Sequence, residues 1–595
     1  MPTRKPYAGT ERKLVLAFDV GTTFSGISYS ILDPGLVPNL HPVTRFPGRS
    51  QSGGDAKVPT VIYYDQVGGV GAIGAETERE DMDTLAEEYH WVKAEWFKLH
   101  LRPKTRATTG ISEELPPLPP RKTAIDLFAD FFKYMKQCAK KYIEETHPLV
   151  GSNLWGLGNE VYILSHPNGW EGAQQTLMRD AAVRAGLVPA TREGRERITF
   201  VTEGEASLNF CVDKGLMNES IQSGNGVTIV DAGGGTLDIS TYARKSTVEH
   251  EYEEIVASQC HFKGSIFVTR AAATYLNEYL WDSNFHEDVK YMVDKFDKAT
   301  KLGFRTPKDP QYIKFGNVRD KDPKRNIRAG QLRLDGHVIA NFFEPSIRCI
   351  VDAVIEQKRL ASKPVATVFL VGGFAASDYL FSELEQRLMR HGFKVCRPDP
   401  HLNKAVPDGS IAGYLRPTVR GRVSKYTYGA RCSLWYNHLC PEHTKRKKEC
   451  YTDYDGHTLL PGGFLSILEK NTHVSESKEF RASFIKGILR KEMIAKAAVE
   501  QVTCYRGTVV KQEFVDQDPK NFHDVFAVRA DLTNLIAGLQ PCVGKKGIVH
   551  FKLEYEIIIL FGLAEFKAQL AWKENGVEKR GPAEILFDTG IEYEE

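Results

Sequence analysis

The sequence lacks any apolar run near the roughly 18 residues that would mark a membrane-spanning helix. Its opening segment, MPTRKPYAGTERK, is polar and basic with no apolar stretch behind it, so neither a membrane span nor secretion by a signal peptide is expected. It also lacks paired cysteines: ten are scattered through 595 residues without a CxxC. Reduced thiols are expected, in the cytoplasm, with the nucleus as the alternative. Nor is there a charge excess, because 78 basic and 76 acidic residues leave a net charge of +2, which gives no electrostatic reason to expect nucleic acid or a membrane as partner. What remains, 42% hydrophobic and 26% charged residues, is the composition of a soluble globular chain of about two to four domains.

The most informative stretch is LVLAFDVGTTFSGISYSIL, residues 14–32. Two runs rich in Val, Ile, Phe and Tyr flank a Gly/Thr cluster, which predicts two strands joined by a turn with Asp19 at the strand end. Gly21 would let backbone approach an anion, N–H groups around Thr22 and Thr23 could form a nest, and Asp19 could hold magnesium through water. An ordinary hairpin whose Asp and Gly only make the turn is the competing reading. The same grammar returns in VTIVDAGGGTLDISTY, residues 227–242. Asp231-Ala232-Gly233 answers Asp19-Val20-Gly21, so two related halves are expected to offer two hairpins to one ligand.

Elsewhere strands alternate with helices, predicting an α/β domain. Residues 58–64 read as one strand, and the aromatic spacing of 91–99 as helical, with Lys98 either reaching a phosphate or snorkelling from an amphipathic face. The Pro-rich stretch 102–121 reads as a loop. Thr123 should cap a helix that ends at His147-Pro148 and whose aromatics are core. Residues 160–165 and 198–202 read as strands, the second with Glu203 at its C-terminal end, the edge where open α/β sheets bind ligands. Residues 289–302 read as a helix whose Lys298 and Lys301 form a solvated face in the plainest reading. A helix over 341–360 leads to a strand, then Gly372-Gly373, then a helix capped by Ser377, an arrangement that brings backbone and a helix N-terminus to an anion. Beyond about residue 421 the chain reads as almost entirely strand. There the basic run 441–449 is a solvated loop or a nuclear signal, and Cys432, Cys440, His443 and Cys450 form a metal candidate whose spacings match no zinc pattern well.

The ordered set DVGTTFSG, EVYILSHPNGW, FVTEGEASLNF, VDAGGGTLDIS and VFLVGGFAAS resembles the actin, sugar-kinase and DnaK-type ATPase superfamily, and in detail the heat-shock seventy-kilodalton chaperones, in their divergent member-twelve branch. The resemblance implies a two-lobed actin-like ATPase domain of duplicated ribonuclease-H-like subdomains over 13–415. A β-rich domain over 422–595, resembling the family's peptide-binding β-sandwich but without a clear helical lid, would follow. It further implies ATP or ADP with Mg2+ as cofactors. Asp19 and Asp231 would lie around the metal, Gly21, Thr22, Thr23 and Phe24 in the first phosphate loop, and Gly233, Gly234, Gly235 and Thr236 in the second. Lys98 and Glu203 would act at the γ-phosphate and the attacking water, with Gly372, Gly373 and Lys301 on the adenosine side. Phe374-Ala375-Ala376 stands where the family has Ser-Thr-Arg.

The expected function is an ATP-binding, slowly hydrolysing, chaperone-like protein, a weak ATPase by resemblance, with peptide or protein clients and nucleotide-exchange factors as partners. A nucleotide-binding signalling module without turnover and a small-molecule kinase on the same fold are the alternatives.

Overall fold

Apolar runs as continuous as those beside the two Asp-x-Gly turns suit strands covered on both faces, and in the computed structural model they are the central strands of two sheets. The structure describes residues 4–48, 56–103, 115–156, 158–170, 172–217, 225–245, 251–398, 404–475, 478–493, 497–509, 511–545, 547–561, 566–574, 576–581 and 584–586. The chain divides into two compact units, Met1–Trp170 with Leu177–Val419, and Glu171–Thr176 with Arg420–Glu595.

In the first unit, Lys13–Val20 pairs antiparallel with Phe24–Leu32, placing Asp19 opposite Gly26. Gly226–Ala232 pairs with Leu237–Arg244 in the same way, placing Asp231 opposite Asp238. Each hairpin then gains parallel neighbours on its first strand. Glu160–His166 and Ile198–Thr202 join one sheet, and Val365–Val371 and Lys394–Cys396 join the other. On the opposite side each gains an antiparallel strand, His41–Pro42 in the first and Tyr252–His261 in the second.

The helices repeat too. Ala124–Thr146 precedes the first parallel strand as Gly336–Leu360 precedes its counterpart, and Glu203–Asp213 follows the first set as Ala405–Leu415 follows the second. One plan is thus built twice, as the repeated motif predicts.

The second unit, over residues 420–586, carries two antiparallel sheets. One is built on Thr427–Trp435, Thr458–Leu468, Ala497–Tyr505 and Phe522–Asp531, the other on Glu479–Ile488, Val549–Phe561 and Phe566–Glu574. Tyr428, Val502 and Val528 from the first share a core with Ile557, Ile559 and Leu570 from the second, the packing of a β-sandwich.

Several expectations need correction. Residues 58–64 are not one strand: Lys57–Pro59 pairs with the first hairpin, while Val61–Tyr64 joins a separate small sheet, the break falling at Thr60, whose hydroxyl lies 2.7 Å from Ser25 Oγ. Residues 91–99 are not an amphipathic helix, because Val92–Glu95 pairs as a strand with Val61–Tyr64 and only Phe97–Leu101 turns, as a 3-10 helix. The helix expected from 341 begins at Gly336 and carries Pro345 inside it. Most of the Pro-rich stretch, 104–114, lies outside the described residues. Among the described residues no helix is long and apolar enough to cross a membrane, and all ten cysteines are free.

Candidate functional site

The two turns meet. A Cβ added at Gly234 would come within 2.5 Å of Thr23 Oγ1, and one added at Gly235 within 2.4 Å of Thr22 Oγ1, so only glycine lets the second turn close on the first. The second turn is fixed from behind: the carbonyls of Gly235, Gly233 and Gly234 accept from the backbone N–H groups of Gly264, Ser265 and Ile266 at 3.2, 3.1 and 2.9 Å. That uses the N-terminal donors of helix Ser265–Tyr279. Gly21 makes the first turn tight, since a Cβ there would sit 2.2 Å from the Phe24 carbonyl oxygen. Phe24 itself is exposed, while Thr22 and Thr236 are buried.

Lys98 enters beside these turns because the chain reverses at Trp96, a left-handed residue with φ 56°. In the turn that follows, Phe97 packs on Phe128 and Phe131 of helix Ala124–Thr146, with ring centroids 5.5 and 5.9 Å away. Lys98 is thereby driven inward, its side chain only 3% exposed, and its Nζ donates to Glu203 Oε1 at 2.6 Å. Trp170 of the HPNGW turn lies over the same ammonium, 5.8 Å from Nζ to the ring centroid. Glu203 stands at the first turn of helix Glu203–Asp213, whose N-cap Thr202 accepts from the Glu205 N–H, so its place at the strand's C-terminal edge is as expected.

Four carboxyl groups share this space. Burial pushes Glu203 up against the pull of Lys98. Burial, then the Glu203 charge, pushes Asp231 up to about 7 and Asp238 up to about 8. Burial also opposes ionisation of Asp19, but the charges of Lys57 and Lys98 and the hydrogen bonds from Lys57 and Ser165 outweigh it and hold Asp19 below its ordinary value. Lys98 is held above its ordinary value, burial being outweighed by Glu203 and Asp19. The result is alternating charge with two carboxyls poised near neutrality.

Gly372 belongs to the same cluster. Its φ is +90°, and a Cβ on it would sit 2.3 Å from Asp231 Oδ1. Gly373 is exposed and faces open space. Lys301 is not part of the carboxylate cluster: it follows a π-helical turn, Phe296–Thr300, and is engaged by Asp297 and by Thr269 of helix Ser265–Tyr279. Lys298 is exposed and paired with Asp294, the solvated lysine of the plain reading. Phe374, where the family has Ser, is a core residue packed on Phe343.

Several contributors were missed by sequence reasoning. Lys57, Ser165 and Ser207 bind the Asp19 and Asp231 carboxylates. Asn168 ties the HPNGW turn to Asp238 through its backbone N–H at 2.6 Å and to Ser240 through its side chain at 2.9 Å. Asp238 and Asn168 stood in quoted motifs and could have been found there. Lys57 had no signal beyond being a base next to a strand.

The metal candidate in the second unit is corrected. Cys440 and His443 gather with Glu513, without Cys432 or Cys450. His443 Nδ1 accepts the Asn437 N–H at 3.1 Å, so in the neutral ring the proton sits on Nε2, facing Glu513 at 3.6 Å, and no lone pair is left there for a metal.

No family model matches the chain. Heat shock 70 kDa protein 12A of Mus musculus is 24% identical over 504 residues, covering 70% of this chain and 71% of that protein. Heat shock 70 kDa protein 12B of Homo sapiens is 21% identical over 513 residues, with the same coverage, and the Homo sapiens 12A protein is 24% identical over 502 residues. The resemblance carried by the five motifs is therefore matched by similarity to heat shock 70 kDa proteins 12A and 12B along most of the chain.

Proposed function

We propose that this chain is a nucleotide-binding, chaperone-like protein that hydrolyses ATP slowly in its first unit. The observation that carries the reading is the closure of one glycine turn on the other beside the buried Lys98–Glu203 pair. Backbone donors and a lysine suit phosphate, and Gly234 and Gly235 let the second turn close on Thr23 and Thr22, so that both turns can face one phosphate chain. In this reading Thr22, Thr23 and Thr236 line the phosphates, Gly372 and Gly373 face the nucleoside, and Lys301 would neighbour the adenine ring.

Lys98 would turn from Glu203 to the terminal phosphate, and the Glu203 carboxylate, freed and made more basic by burial, would orient water and take its proton. This is positioning and electrostatics without a covalent intermediate, and it suits slow turnover. Magnesium, assigned by resemblance to Asp19 and Asp231, fits less well, because Asp19 is already engaged by the Lys57 ammonium and Ser165, and Asp231 by Ser207. The β-sandwich unit would read the nucleotide state as affinity for peptide or protein clients, without the family's helical lid.

Nucleotide titration and single-turnover hydrolysis of the wild type beside Lys98→Ala test this. We expect ATP binding by the wild type and loss of phosphate release in the variant, and equal release would remove Lys98 from the chemistry. One observation favours a second reading, a binding module without turnover: Lys98 and Asp19 are both already ion-paired. A near-zero release rate unchanged by Glu203→Gln, with binding intact, would select it.

A further inference from the structure

Asp19, Gly26 and Lys57 lie in one row across three strands: Asp19 is opposite Gly26, and Gly26 is opposite Lys57. The absent side chain at Gly26 gives Lys57 a path. A Cβ there would touch Lys57 Cγ and Cε at 3.5 Å, so the lysine stem runs over the glycine to Asp19. Its Nζ donates to Asp19 Oδ2 at 2.9 Å in a pair whose side chains are 16% and 5% exposed. The other oxygen, Oδ1, accepts from Ser165 Oγ at 2.9 Å. Asp231 Oδ2 accepts from Ser207 Oγ at 2.7 Å, and its Oδ1 lies against Gly372. As they stand, these oxygens do not fit a hydrated divalent cation unless Lys57 leaves. Two ammonium groups, Lys57 and Lys98, already bring to the turns the positive charge such an ion would supply.

We infer that Lys57 takes the place of the divalent cation, so that this site binds a nucleoside di- or triphosphate without Mg2+. The inference rests on the nucleotide reading above and makes it more specific. A flexible ammonium reaches from Asp19 toward a phosphate chain between the turns, and charge-assisted hydrogen bonds replace those of the metal's water shell.

The test is calorimetric titration of the full chain with ADP in excess Mg2+ and in excess EDTA, for the wild type, Lys57→Met and Lys57→Arg. We expect wild-type and Lys57→Arg affinities to agree within about threefold between the two conditions, and Lys57→Met to weaken by about tenfold or more in EDTA and recover in Mg2+. Wild-type binding that needs Mg2+ overturns the inference and leaves the nucleotide reading standing. A Lys57→Met variant as indifferent to Mg2+ as the wild type overturns it as well. No binding in either condition overturns both. Should Lys57→Met fail to fold, the wild-type comparison decides alone.

Discussion

Lys98 and Glu203 share one buried hydrogen bond, and truncating either strands the other in a desolvated site. Lys98→Ala should therefore cost about 3 kcal/mol of stability in the ligand-free protein, read from urea unfolding, and a change near zero would mean that water reaches the pair. The raised carboxyls make a separate claim. Asp238 has an ordinary value of 3.8 and stands at about 8 when folded, so between those values the folded protein binds the proton better than the unfolded chain. Stability contributed by this group is fully present below the lower value and is lost as pH rises through the window. Asp19, shifted downward, acts oppositely: its contribution is present above its ordinary value and lost as pH falls. Urea midpoints of the ligand-free protein should thus decline from about pH 5 to pH 8, and Asp238→Asn should flatten that decline. An unaltered slope would assign it elsewhere.

At the scale of elements, the site depends on helices that approach closely. A Cβ on Gly409 of helix Ala405–Leu415 would sit 1.8 Å from the Ala206 carbonyl oxygen of helix Glu203–Asp213, the helix that presents Glu203. Backbone cannot yield as a flexible side chain does, so Gly409→Ala should cost about 2 kcal/mol or more by overpacking and should weaken nucleotide binding by moving Glu203. Equal denaturant midpoints would show that the helices can separate freely. Helix Ala124–Thr146 supports Lys98 through Phe128 and Phe131, and it opens with a capping box in which the Asp126 N–H donates to Thr123 Oγ1 while Asp126 accepts from the Thr123 N–H. Thr123→Ala should cost about 1 kcal/mol, measurable as a shifted midpoint at constant slope. A helix that tight in sequence pattern was legible from its aromatics. The Trp91–Leu99 segment was not, because strand pairing with Val61–Tyr64 overrode a spacing that fits a helix equally well.

For the whole molecule, two units with separate cores, one around Val230, Ile239 and Leu370 and one around Val502, Val528 and Ile557, predict two unfolding transitions in calorimetry. Nucleotide at about 100 times its dissociation constant should stabilise the first unit's transition by about 2.7 kcal/mol. A first transition that nucleotide leaves in place would contradict binding in that unit. The sequence by itself determined the repeated hairpins, the glycines at their turns, the capped helices and the β-rich character beyond residue 421, because each is a local pattern of polarity and backbone freedom. Only the tertiary structure decided what those residues meet. It set Lys57 across Gly26 onto Asp19, turned Lys98 inward through a left-handed Trp96, buried Phe374 in the core and gave His443 to a backbone N–H. Apart from the local His443–Asn437 bond, those partners lie tens to hundreds of positions apart or depend on one backbone reversal, and no periodicity in the chain encodes a distance across the fold.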